Sequence, residues 1–289
     1  MLADRLLRLA DADQRAVHAD VLRAFQLLLL LHVTARAWLW ALRAGDDLAL
    51  RALFATALAL CALLGLSRRW ARTATTSALV LLAIKLVGSF PSTSNHFFIE
   101  VLCVALVAFV GTESAPERIL LLEALRWLTV IVLFYTGLQK VLYGTYFDGQ
   151  FLGFAIATRP PFAALFGCIA PAEVARLRAL QPFDVGAGPF AIAAPLAVAA
   201  ANAAYLFEIL APAALLVRRT RPYAVAAALA FVVVIEVAAR ELMFGVLFAN
   251  LLLLFLAWPL NRTLLPAFAL LYAVLLGSRL DLLPAVTFN

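Results

Sequence analysis

Nine apolar runs, at about 22–41, 50–66, 74–90, 97–111, 119–143, 190–217, 223–239, 242–258 and 263–278, follow one another and leave little sequence between them. In a bilayer each run must satisfy its own backbone hydrogen bonds, which a helix does. About 20 mostly apolar residues suffice for one crossing. Composition points the same way: 65% of the 289 residues are hydrophobic and 14% are charged, against ~45–50% and ~25% in soluble domains. The expected fold class is all-α, a polytopic integral membrane helical bundle of about nine transmembrane helices. A water-soluble enzyme, a nucleic-acid binder and a disordered chain are excluded.

The formal net charge is +6, and only Lys85 and Lys140 among the 23 basic residues are lysines. The arginines sit mostly at the ends of apolar runs, where the side chain can snorkel to the headgroups. The basic balance therefore describes membrane topology. With the N-terminus in the cytoplasm, twelve arginines fall on inner segments and seven on outer ones, which favours a cytoplasmic N-terminus and, after nine crossings, an outer C-terminus. Residues 1–21 mix aspartates with arginines and read as an amphipathic surface helix, with no cleavable leader expected. Residues 22–289 read as one bundle. Within it, 144–189 is too polar for a clean crossing and too apolar for a free loop. It reads as an interfacial segment, helical at 149–157 and 171–180. Cys61, Cys103 and Cys168 lie in apolar sequence with no metal-ligand spacing, so neither a disulfide framework nor a metal site is expected.

An ionisable group inside a crossing costs ~2.5–3.5 kcal/mol on insertion scales and is a functional candidate for that reason. The candidates are His32, Lys85, Glu100, Lys140, Glu208, Glu236, Arg240 and Glu241, with Asn95, His96 and Asn202 as polar neighbours. On the nine-crossing topology most of them fall in the outer leaflet, beneath 144–189. His96 and Glu100, four residues apart, share a helix face, as do Glu236 and Arg240. A neutral lysine in a site of low dielectric is a competent general base, so Lys140 is expected to stand unpaired by a close carboxylate. Structural alternatives stand beside these readings. Lys85 with Glu100 could form an intramembrane ion pair, and Glu208 could bond Asn202 or a neighbouring helix. Glu236, Arg240 and Glu241 could form an interfacial salt-bridge cluster, and His32 could be a satisfied bundle histidine. Spacing by itself supports a polar cavity that opens outward.

One stretch adds more. Phe134-Tyr135-Thr136-Gly137-Leu138-Gln139-Lys140, followed by Tyr146-Phe147-Asp148-Gly149, resembles the hallmark of the horizontally transferred transmembrane (HTTM) family, which includes the membrane part of vitamin K-dependent gamma-carboxylase. Ser94-Asn95-His96 opens the preceding helix where that family has an Asn-His pair. Glu208 falls where the family has an acidic residue, and 231–254 resembles its late helix pair. The resemblance spans about 90–258.

The resemblance implies an enzyme of quinol-dependent oxygenase or lyase type. It makes Lys140 the base that deprotonates a reduced, vitamin K-like quinone, with Asn95 and His96 positioning it. Tyr135, Glu100, Glu208, Glu236, Arg240 and Glu241 would line the substrate site, on the outer side of the membrane. The expected cofactor is the reduced quinone, with no metal. The expected partners are membrane lipid and that quinone, with no nucleic acid and room for a protein or peptide outside the membrane. Glu236 stands where a histidine would align, and the sequence to Asn289 holds no counterpart of the carboxylase's large extramembrane domain. Carboxylation of a protein glutamate is therefore not expected, whereas the quinol-handling half of the reaction is. Two other classes use the same polar groups: a small proton or solute transporter, and an accessory membrane subunit of a redox system.

Overall fold

The computed structural model describes residues 2–42, 47–159, 169–180, 190–239, 242–256 and 266–274, with backbone alone for 2–18, 236–239 and 242. Among them the chain is all-helical. The helices are α1 (Leu2–Ala41), α2 (Leu48–Gly65), α3 (Ala71–Ser89), α4 (Asn95–Val110), α5 (Ala115–Tyr143), α6 (Gln150–Thr158), α7 (Pro171–Ala179), α8 (Pro195–Leu216), α9 (Arg221–Ala239), α10 (Leu242–Leu253) and α11 (266–274).

Among the described residues, five stretches are long and apolar enough to cross a membrane: Ala19–Ala41, Leu48–Gly65, Arg68–Ser89, Ala115–Tyr143 and Pro195–Leu216. They mark the chain as a membrane protein. Three more of the nine apolar runs form shorter helices, Asn95–Val110, Arg221–Ile235 and Met243–Leu253. At 1.5 Å per residue the 12 residues of α10 reach about 18 Å, well short of a ~30 Å hydrocarbon core. The last run is helical over 266–274. Large apolar side chains face outward along these helices: Leu53, Leu63, Ile84, Val87 and Phe109 are all more than 60% exposed. A water-soluble surface rarely presents so much contiguous apolar area.

The chain divides into two compact units, one of Met1–Trp127 with Leu242–Phe288 and one of Leu128–Glu241 with Asn289. In the first unit, α1 is the central helix, with 67% of its span buried against 22% for α2. It packs on α2, α3, α4 and α10. Small residues make close approach possible: Ala35, Ala37, Ala55, Ala74 and Ala78 are all buried. Leu28 and Ala35 of α1 meet Val246 and Leu253 of α10 and Phe268 and Tyr272 of α11 in one apolar cluster. The start of α5 is set by a capping box: the Glu117 carboxylate accepts from the Ser114 N–H at 2.8 Å, and the Ser114 hydroxyl accepts from the Glu117 N–H at 3.3 Å.

In the second unit, α6 and α7 occupy the two stretches marked as helical within 144–189. They are packed, not free. Leu152, Ile156, Leu177, Phe190 and Ile192 form a cluster with Ala197 and Ala201 of α8. Pro171 and Pro195 stand in the first turns of α7 and α8, where the missing N–H costs nothing.

Candidate functional site

The centre of the second unit follows from two residues one helical turn apart on α5. Gly137 lies against α8: a Cβ added there would come within 2.9 Å of Glu208 Cβ and of Ile209 Cγ1, and 3.0 Å of the Ile209 backbone nitrogen. Only glycine lets the two helices meet so closely at that level. One turn on, Lys140 faces the same helix, and its ammonium donates to both oxygens of Glu208, at 2.5 Å to Oε1. The two side chains are 20% and 7% exposed, so the pair is reached from the lysine side. The spacing of the Gly-x-x-Lys element thus has a mechanical content, a close approach followed by a charge on the same face.

The chain after α5 closes over this pair. Gly144 ends the helix with φ 70°, a left-handed conformation that a glycine adopts without steric cost. Its N–H donates to the Lys140 carbonyl at 3.1 Å. The turn brings the Tyr146 ring to 5.3 Å from the lysine nitrogen and stacks it on Phe151 at 4.8 Å. Asn202 of α8 fixes the turn: its amide donates to the carbonyls of Phe147 (3.1 Å) and Tyr146 (3.4 Å). The Tyr205 hydroxyl donates to the Asn202 oxygen at 2.9 Å, and Phe147 meets the Tyr205 ring edge-on at 5.6 Å. Tyr135 is 56% exposed and touches Phe134 edge-on.

The expectation that Lys140 stands free of a close carboxylate is therefore corrected. The partner is Glu208, 68 residues away. Nor does Glu208 bond Asn202; each has its own task, one on the lysine and one on the turn.

In the first unit, a second polar centre is buried deeper. His32 is fully buried, its Nδ1 2.9 Å from the Tyr272 hydroxyl and its Nε2 3.0 Å from Glu100 Oε1. The Asn250 amide donates to the same Tyr272 hydroxyl at 3.0 Å. Arg36 donates to Glu100 Oε1 and, at 3.2 Å, to the Ser94 hydroxyl. The reading of His32 as a satisfied bundle histidine describes this geometry. Two atoms in the centre, Glu100 Oε2 and Asn250 Oδ1, are buried with no hydrogen-bond partner among the described residues.

The alternative of a Lys85–Glu100 pair is corrected as well. The carboxylate is held by His32 and Arg36, while the Lys85 amine lies over the rings of Trp40 (4.2 Å), Phe97 (5.1 Å) and Phe54 (5.6 Å). Arg36 was not singled out in the sequence, although it stands four residues after His32 and so on the same helix face. No comparable signal marks Asn250 or Tyr272, which reach His32 only through the folding of distant helices. Asn95 begins α4 and is exposed, and His96 stacks on Phe244 of α10 at 4.1 Å. The side chains of Glu236, Arg240 and Glu241, and Cys168, lie outside the described residues.

Asn95, His96 and Glu100 thus belong to the first unit, and Tyr135, Lys140 and Glu208 to the second. No model of a known protein family, no curated protein and no solved structure matches the chain.

Proposed function

We propose that this chain is an integral membrane enzyme acting on a lipid-soluble quinol, with Lys140 and Glu208 as its proton-handling pair. The observation that carries the reading is the pair itself. A lysine and a glutamate are joined at 2.5 Å, in a helix apolar enough to cross a membrane, beneath a stacked Tyr146 and Phe151. The donor set fits a quinol: flat aromatic faces for the ring and a reachable charged pair for a hydroxyl. Bound there, a reduced quinone would supply a hydroxyl proton and reducing power toward oxygen.

The work divides between the two side chains. The Glu208 carboxylate accepts the hydroxyl proton. The Lys140 ammonium balances the negative charge left on that oxygen. Away from water such a fixed charge is worth several times its value in bulk solvent. The base is thus the pair, because an amine already shared by two carboxylate oxygens has no lone pair to offer. The resemblance belongs with a bundle of about nine crossings, N-terminus cytoplasmic, site and C-terminus outside. Labelling from outside intact cells at Ser92→Cys and not at Thr220→Cys is the result that topology requires.

Lipid extraction and mass spectrometry of the purified chain should find a bound quinone. Reduced vitamin K consumed under air is the activity to follow. Glu208→Gln and Lys140→Met should abolish it. Lys140→Arg separates the assignments: partial turnover supports the pair, and complete loss returns the base to the lysine. Full turnover in Glu208→Gln would sink the reading.

A proton path is a second reading, favoured by the buried run Asn250, Tyr272, His32, Glu100, which ends on the half-buried Arg36. Beyond Asn250 lies a cavity of ≈ 10 Å³ lined also by Val21, Ala24, Phe25 and Leu28, about the room one water needs. From Arg36 to Val21 along α1 is about 22 Å, most of a bilayer core. Liposomes holding the chain should then dissipate a pH gradient, and His32→Phe should stop it.

A further inference from the structure

The hydrogen bonds of the buried centre in the first unit run in one direction. The Asn250 amide nitrogen can only donate, and it donates to the Tyr272 hydroxyl at 3.0 Å. The phenol oxygen accepts that bond, so its own proton is left for His32 Nδ1, 2.9 Å away. A neutral imidazole that accepts at Nδ1 carries its proton at Nε2, and Nε2 faces Glu100 Oε1 at 3.0 Å. Phenol, imidazole and carboxylate thus form one line, with the phenol proton aimed at a base and a carboxylate behind that base.

The line is dry. Tyr272 is 1% exposed and His32 0%. Arg36 also donates to Glu100 Oε1, while Glu100 Oε2 has no hydrogen-bond partner among the described residues. The carboxylate therefore keeps capacity to face a second positive charge. Tyr272 is also close to the outside of its unit. It and Phe268 are the buried residues of α11, whereas Leu270 and Leu271 of the same helix are 64% and 38% exposed. A helix with its side chains is about 10–12 Å across, so the phenol lies within about one helix diameter of an outward aliphatic surface. An electron can cross that gap by tunnelling, with no need for a molecule to enter.

A phenol whose proton has an acceptor in place gives up an electron more readily than one whose proton has nowhere to go. We propose that Tyr272 is a redox-active tyrosine whose oxidant is a lipid peroxyl radical at the outward face of α11. The O–H bond is divided between two acceptors: the electron goes to the peroxyl radical and the proton to His32 Nδ1. The products are a neutral phenoxyl radical on Tyr272, an imidazolium on His32 held against Glu100, and a hydroperoxide anion, which takes a proton from water to become the lipid hydroperoxide. Peroxyl radicals are the oxidant that this setting supplies, because outward aliphatic side chains on membrane helices meet acyl chains, where oxygen adds to carbon radicals. The step differs from a proton path, since the proton stays on Nδ1 and goes back with the next electron.

The test places the purified full chain in liposomes of polyunsaturated phosphatidylcholine with a lipid-soluble azo initiator, and follows electron paramagnetic resonance. Under air, wild type should accumulate a persistent tyrosyl signal. Under argon, where the initiator yields carbon radicals and no peroxyl radicals, the signal should be absent. Tyr272→Phe should lose it, and so should His32→Phe, which leaves the proton without an acceptor. Tyr223→Phe, which removes an exposed phenol elsewhere, should keep it. Should the Tyr272 and His32 variants not fold, wild type made with isotopically labelled histidine decides: double resonance should show a histidine nitrogen coupled to the radical through its hydrogen bond. No tyrosyl signal in wild type under air, an equal signal under argon, a signal that survives Tyr272→Phe or His32→Phe, or a radical with no coupled histidine nitrogen would each overturn the proposal.

Discussion

Lys140 and Glu208 should be strongly coupled in stability, and the structure sets the size and the asymmetry of the effect. Glu208 is 7% exposed and Lys140 20%. Lys140→Met strands a buried carboxylate with no cation, which costs about 3 kcal/mol, the lower end for a broken buried pair. Glu208→Met strands a lysine whose long stem can swing the amine toward the headgroups, so the cost is smaller, about 1.5 kcal/mol. Replacing both removes the stranded charge as well as the bond, and the double variant should lie within about 1 kcal/mol of wild type. The coupling is then about 3.5 kcal/mol, roughly 300-fold in an equilibrium constant. Reversible unfolding in mixed micelles, followed by helical circular dichroism, measures all four corners of the cycle. If the double variant is destabilised by the sum of the singles, the two groups are not coupled and the account of the centre fails.

Gly137→Ala should loosen the same centre without touching its charges. The new methyl group meets the Ile209 backbone nitrogen at 3.0 Å, and backbone does not yield, so α5 and α8 must part, at a cost of about 1–3 kcal/mol. The Lys140–Glu208 coupling measured in a Gly137→Ala background should fall accordingly, and an unchanged coupling would refute the close-approach reading. In the first unit, Arg36→Met should destabilise the chain by about 3 kcal/mol because it removes the permanent cation from a fully buried Glu100. Adding Glu100→Gln should recover most of that loss in the same unfolding assay, and no recovery would show that Arg36 acts through packing alone.

Sequence by itself determined the solvent and the element type. Apolar runs with arginines at their ends can be satisfied only as helices in a membrane, and the helices are there, from Ala19–Ala41 to Pro195–Leu216. It also marked the residues that are expensive to bury, and five of them (His32, Lys85, Glu100, Lys140 and Glu208) do sit at polar or cation–aromatic centres. Gly137 stood in the hallmark stretch one turn before Lys140, but its close approach to α8 came only from the structure. Tertiary structure decided which expensive residue answers which. Charge on a helix is read locally, over three or four residues, whereas its partner is chosen by which face another helix presents. Lys140 found Glu208 because Gly137 lets α8 close in. Glu100 found Arg36 and His32, not Lys85, because α1 is the central helix and presents both to α4. Lys85, left on the aromatic side of the same bundle, joined Trp40 and Phe97. Helix lengths were decided the same way: 242–258 is one apolar run in sequence, yet α10 ends at Leu253, and Arg126 donates to the Leu254 carbonyl just beyond it at 2.8 and 3.0 Å. Hydropathy carries no record of a donor that arrives from another helix, because the cost of ending a helix depends on what is waiting at its last carbonyls.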